Sequence, residues 1–186
     1  MDKLKPLLTA VVLLLFSFPM VGTGESNNSG GHINDNAQNN LDLVAFADEI
    51  RQEFYVLLNN HRKANGLRKL KENKTLQRYA DARAAEQRIV FGHTRPDGTA
   101  AGSGWHNSQN IINTRYAENA RSNGPLNHRD ARAVANDFFE MWKNSKGHNR
   151  HFLWKFDKHI TMALGLDLKL DPTWGLTSPA IWATGY

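Results

Sequence analysis

The 186-residue sequence contains no cysteine. Disulfides, thiolate nucleophiles and thiolate metal ligands are therefore excluded, and an exported form would have to hold its fold with an apolar core alone. The sequence also lacks a phosphate-cradling glycine loop and a redox motif: Gly66, Gly92, Gly98 and Gly104 are scattered and read as turns. Gly102-Ser103-Gly104 lacks the five-residue pattern of a nucleophile elbow. The mean hydropathy of −0.56 argues against a multi-span membrane protein. Aromatic residues make up 10% of the chain, more than a disordered chain carries, and the length beyond the N-terminal leader suits one domain.

What is present begins with a leader. Lys3 and Lys5 form a basic start, Leu7 to Phe18 an apolar run, and Pro19 with Gly22 to Gly24 a small-residue end. That order is signal-peptide grammar, and the run is short for a bilayer span of about 20 residues. An uncleaved anchor helix is the alternative. Removing residues 1–24 takes away Asp2, Lys3 and Lys5 and leaves a net charge of +4, which suits an anionic envelope without announcing nucleic acid. Residues 25–41, rich in Asn, Gly and Ser, read as a disordered polar linker, and 42–186 as one domain.

Within that domain, Leu43, Phe46, Ile50, Phe54, Leu57, Leu58 and His61 recur at three- and four-residue spacing, which predicts a helix to Ala64 stopped by Asn65-Gly66. The basic stretch that follows, Arg62, Lys63, Arg68, Lys69, Lys71 and Lys74, reads as a solvated helix end and loop, with an anionic-surface contact as the second reading. Further helices are predicted over Lys74 to Ile89 and Asp130 to Trp142, the latter with Val134, Phe138, Met141 and Trp142 as its buried stripe. The pattern then changes to alternation. His159 to Leu168 and Pro179 to Tyr186 read as two strands of a hairpin with a turn at Asp171 to Gly175, so helices pack on an antiparallel sheet.

Three segments stand out beside that hairpin: Phe91-Gly92-His93-Thr94-Arg95-Pro96-Asp97-Gly98, Tyr116-Ala117-Glu118-Asn119-Ala120, and Met141-Trp142-Lys143-Asn144-Ser145-Lys146-Gly147-His148-Asn149-Arg150. In this order they resemble the CAP superfamily of cysteine-rich secretory and pathogenesis-related-1 proteins, particularly its cysteine-free bacterial branch. The likeness covers roughly residues 43–186. It implies an α/β (α+β) fold, a three-layer α-β-α sandwich around a mainly antiparallel sheet, with a shallow cleft. By motif, His93 and His148 match the family's two cleft histidines and Glu118 its first acid. The second acid does not carry over, because its place falls near Ser145, and Ala117 stands where the family has Gly, which implies a bulkier loop.

Two imidazoles and a carboxylate are ligand types suited to Zn²⁺ or another divalent metal, so His93, Glu118 and His148 form a candidate metal set, with Ser145 and Asn119 as accessory residues. Without metal, a His beside a Glu is a general-base pair. The bland alternative is a hydrogen-bonded network that knits the cleft loops. Of the remaining histidines, His151 reads as a packing or surface residue, and His106 and His128 as loop residues. The expectation is a secreted or envelope-associated binding module, monomeric and requiring no cofactor, for a lipid, glycan, envelope polymer or host protein. The alternative is a metal-dependent hydrolase using the same cleft.

Overall fold

The computed structural model of the chain describes residues 31–105, 116–126 and 130–186, with side chains from Asp42 onward. The leader expected at 1–24, the start of the linker, and His106 and His128 lie outside the described residues.

Helix α1, Gly31–Ala64, carries the predicted stripe: Ile50, Phe54 and Leu58 are fully buried, Phe46 and Leu57 half-buried. It starts earlier than Leu43 and runs back through residues read as linker. Once a packed segment has nucleated a helix, adding turns costs little, even for residues of modest propensity. The stripe also continues past Leu58 to Arg62, which is buried rather than solvated. Arg62 Nε donates to the Arg68 carbonyl at 3.0 Å and its Nη1 to the carbonyls of Phe152 and Trp154.

Helix α2, Lys74–Glu86, starts at Asn73, whose side chain accepts from the backbone N–H groups of Thr75 and Leu76. Helix α3, Ala131–Lys143, is capped in the same way by Asp130. Its buried face is Val134, Ala135, Phe138, Phe139 and Trp142. Met141, placed on that stripe by its neighbours, is 41% exposed, while Phe139 takes the inward position. Trp142 is fully buried, as its place in the stripe predicts, and donates from Nε1 to the Ala120 carbonyl at 3.3 Å. Helix α4, Lys146–Phe152, follows directly.

Among the described residues, the strands are β1 Tyr116–Arg121, β2 Thr161–Leu166, β3 Lys169–Asp171, β4 Gly175–Thr177 and β5 Ala180–Gly185. The first, second and fifth form an antiparallel sheet in the order β1-β5-β2. The two predicted C-terminal strands thus pair, with Thr161 opposite Gly185. The turn expected between them is itself a small hairpin, β3 with β4. The Tyr116–Ala120 segment, expected as a loop, is strand β1.

Alternation in β2 and β5 splits the core into two layers. Met162, Leu164, Leu166, Ala180 and Trp182 face α1 and α3, while Ala163, Ile181 and Ala183 face α2 with Leu76, Ala80 and Ala84. Helices therefore cover both faces of the sheet, and the mixed helix and antiparallel-strand architecture agrees with the expected fold class. Phe54 sits at the centre of the larger layer, edge-on to Phe139, Trp142 and Phe152.

An exposed sheet edge would leave backbone groups unpaired. The outer edge of β2 is instead covered in turn by loop and side chains. Met162 exchanges backbone bonds with Lys71 and Asn73. The Leu164 N–H donates to Tyr55 Oη at 2.9 Å, and its carbonyl accepts from Arg51 and Gln77. The Leu166 N–H donates to Asp81 Oδ1.

Candidate functional site

Among the described residues strand β1 is an outer strand of the sheet, and it presents Glu118 beside the loop that follows α2. The Glu118 side chain is 3% exposed. Such burial alone would raise its pKa; hydrogen bonds from His93, Arg83 and Tyr116 outweigh it and bring the pKa below the usual carboxylate value. Arg83 grips the carboxylate with both ends of its fork, Nη2 to Oε1 at 3.0 Å and Nε to Oε2 at 3.3 Å. Tyr116 Oη donates to Oε2 at 2.6 Å, and burial pushes its own pKa well up, so it stays a donor. His93 Nδ1 lies 3.1 Å from Oε1.

The Arg83 side chain is fully buried, on the α2 face that carries Leu76, Ala80 and Ala84. It also pairs with Glu86, which binds Arg95 at 2.5 Å, and Arg95 in turn donates to Tyr79 Oη at 2.6 Å. Charges thus alternate along His93, Glu118, Arg83, Glu86 and Arg95. The loop is closed by Gln87, whose amide both donates to and accepts from the Gly92 backbone at 2.9 Å. Arg83 adds a bond to the same Gly92 carbonyl at 3.1 Å. This network fixes the residue immediately before His93.

The His93 side chain is 59% exposed. Because the ionised Glu118 can only accept, Nδ1 carries a proton, and Nε2 has no hydrogen-bond partner among the described residues. The Glu118 hydrogen bond raises the His93 pKa against burial and the Arg83 charge. His148, on α4, is half-buried. Burial lowers its pKa, and the charge of His93 lowers it further. The environment therefore pushes the two imidazoles in opposite directions.

Asn119 points to the other side of β1, under α4. It donates to the His148 carbonyl at 3.2 Å and its Oδ1 accepts from His151 Nδ1 at 2.9 Å. His151 Nε2 then accepts from Thr184 Oγ1 at 3.0 Å. Burial pushes His151 down to about 3, so it stays neutral. Its ring packs 4.3 Å from the Trp182 centroid, which makes it a packing residue that anchors α4. Ser145 occupies the position preceding α4, and its hydroxyl makes no capping bond.

The structure thus joins His93 to Glu118 directly, brings His148 into the field of His93, and puts Asn119 beneath His148. Ser145 stands at the start of α4, three residues before His148. A divalent ion held by His93, Glu118 and His148 would need a carboxylate oxygen that Arg83, Tyr116 and His93 already occupy, beside a buried guanidinium. Among the described residues, no three His, Asp or Glu side chains are grouped to hold a metal ion. Sequence reasoning missed Arg83; the signal was its position in phase with Leu76 and Ala80 on an apolar helix face.

A helix-covered antiparallel sheet, with Glu118 on an outer strand paired to His93 of the loop after α2, defines a class of domain. The family model described as "CAP: Cysteine-rich secretory protein family" matches residues 55–164. That is more than half the chain, and the chain belongs to this family. Among solved structures, it is similar to an outer surface protein from Borrelia burgdorferi, at 19% identity and a TM-score of 0.49, over 70% of this chain and 87% of that one. An extracellular protein containing a SCP domain from Bacillus anthracis matches at 18% identity and a TM-score of 0.48, over 73% of this chain and 40% of that one. A cysteine-rich secretory protein from Staphylococcus aureus matches at 20% identity and a TM-score of 0.46, over 72% of this chain and 38% of that one. The chain thus spans well under half the length of the latter two. No curated protein matches the chain.

Proposed function

We propose that this chain is an exported CAP domain that acts as a binding module outside the cell or at its envelope, through the face formed by His93 and His148. The observation that carries this reading is the closure of Glu118: both carboxylate oxygens are engaged by Arg83, Tyr116 and His93. A carboxylate so held serves as an orienting group. It favours a binding role over a metal-dependent hydrolase, because neither a ligand position nor a base for an attacking water is left on Glu118. His93, with its raised pKa, is the better donor, and His148, with its lowered pKa, the better acceptor. A polar group that both accepts and donates suits that pair, as on a glycan, a lipid headgroup, an envelope polymer or a host protein surface. The leader grammar of residues 1–24 supports export, and no helix among the described residues is long and apolar enough to cross a membrane.

The test titrates the purified protein with Zn²⁺ while thermal unfolding is followed. The expected result is no saturable rise in melting temperature that depends on Glu118 or His93. A specific ligand of the native state should raise it through linkage, by about 2.7 kcal/mol of stability at a hundredfold excess over Kd. A rise of several degrees that disappears in Glu118→Gln would overturn the reading, as would peptide or glycan hydrolysis lost in His93→Ala.

A further inference from the structure

The chain's positive charge is concentrated in two segments that are distant in sequence and adjacent in space. Residues 61–74 and 154–160 together hold eight Lys and Arg against two acids, Glu72 and Asp157. Their net charge of +6 exceeds the +5 of the whole chain, so the remainder is slightly acidic. The segments run side by side beyond β2. Glu72 bridges Met162 in parallel, and Arg68 reaches the Phe156 and Ile160 carbonyls at 3.4 Å. The buried Arg62 clamps them together from beneath, through the carbonyls of Arg68, Phe152 and Trp154. Lys63, Arg68, Lys69, Lys71 and Lys74 on one segment, and Lys155 and Lys158 on the other, are all exposed. Among the described residues none of the seven is within ion-pair distance of an acid.

Holding like charges within about one Debye length, roughly 10 Å at 0.1 M salt, costs the folded state free energy that a bound polyanion would relieve. The effect is visible inside the clamp: burial lowers the Arg62 pKa to about 10, and the charge of Arg68 contributes to the drop. The composition of the strip selects among anionic partners. No large exposed apolar side chain falls within 61–74. Trp154, the one at its border, is 45% exposed, with its ring 4.9 Å from His151 and 5.9 Å from Phe156, which leaves little apolar area to insert. A bilayer would call for such anchors. A hydrated ridge of ammonium groups instead suits a linear polymer whose charges can follow it, releasing counterions as it binds.

We propose that this strip, at the opposite edge of the sheet from His93 and Glu118, is a binding surface for a linear phosphate-bearing polyanion. It is independent of the reading given to the His93 site.

The experiment uses inorganic polyphosphate as the probe, with affinity read by calorimetry at about 50 mM and about 200 mM salt. Wild type is expected to bind saturably and to lose about tenfold or more in affinity over that salt step. Lys69→Glu/Lys71→Glu and Lys155→Glu/Lys158→Glu should each weaken binding about tenfold or more, and the double-segment variant further, since each removes contacts and adds repulsion. Arg132→Glu, at a cation 78% exposed on α3, should change it by less than about twofold, as a charge outside the strip. Near-UV circular dichroism confirms that each variant is folded. The Lys→Gln versions, expected to lose about threefold per pair, replace any reversal that is not. Absence of saturable binding, an equal loss in Arg132→Glu, or binding to phosphatidylglycerol vesicles with none to polyphosphate would each overturn the proposal.

Discussion

Replacing Arg83 with methionine is expected to lower the unfolding free energy by about 3–5 kcal/mol, the range for removing one member of a buried ion pair. Methionine fills much of the same space but takes away the charge and the hydrogen bonds to Glu118, Glu86 and the Gly92 carbonyl. Glu118, 3% exposed, would be left as an uncompensated buried carboxylate. Urea denaturation measures the loss directly. The double variant Arg83→Met/Glu118→Met should lose less than the sum of the two single variants, because the desolvated charge disappears with its partner. Additive losses, or a loss below about 1 kcal/mol in Arg83→Met, would show that the pair is not coupled in this way.

Gly165→Ala should have an effect of similar size from a different cause. A Cβ at Gly165 would stand 1.9 Å from the Ala80 carbonyl oxygen and 2.1 Å from its carbon. Those are backbone atoms of α2, so no side chain can swing aside. The helix must move off β2, loosening the layer of Leu76, Ala80, Ala84 and Ile181. Overpacking costs about 1–3 kcal/mol where side chains can adjust, and more where they cannot. A loss of at least about 3 kcal/mol is expected, which for a domain of this size lowers the melting temperature by roughly 6–12 °C. Gly147→Ala is the control, since a Cβ there meets nothing within 4 Å. A Gly165→Ala melting temperature close to that of wild type would refute the close approach of α2 to the sheet.

The helices are legible in the sequence because their apolar rows are long and regular. Ile50, Phe54 and Leu58, and Val134, Phe138 and Trp142, recur at helical spacing, and the capping residues Asn73 and Asp130 stand one residue before their helices. The closing strands are legible from alternation, which the two core layers follow residue by residue. Met141 misleads because it sits next to the true stripe, and three- and four-residue spacing leaves one neighbour ambiguous. Within the site, motifs point to His93 and Glu118. Their spacing alone carries no information, since only the tertiary fold brings residues 25 apart into a 3.1 Å contact.

Two buried arginines explain most of what sequence reasoning misses. Arg62 lies four residues after Leu58, and Arg83 three after Ala80, each in phase with an apolar helix face. Charge makes such a residue look solvated, and its basic neighbours strengthen that impression around Arg62. The phase says otherwise. A guanidinium on a buried face must be met by acceptors from elsewhere in the chain: three carbonyls for Arg62, two carboxylates and a carbonyl for Arg83. Phe152, Trp154 and Glu118 among those acceptors belong to segments far along the sequence, so no local pattern reveals them. The cation that neutralises Glu118, Arg83, is likewise inside the fold and invisible to motif matching.

The Glu118 side chain is an ionised carboxylate held by an internal guanidinium. A carboxyl-carbon NMR titration of selectively labelled glutamate, assigned through Glu118→Gln, reads it directly. Glu118 is expected to titrate below the ordinary 4.5 despite its burial. Its ionisation then contributes stability that is fully present above the unfolded-state value and is lost as pH falls through the lower folded-state value. A midpoint at or above 4.5, or an unchanged midpoint in Arg83→Met, would show that Arg83 does not hold Glu118 in its ionised form.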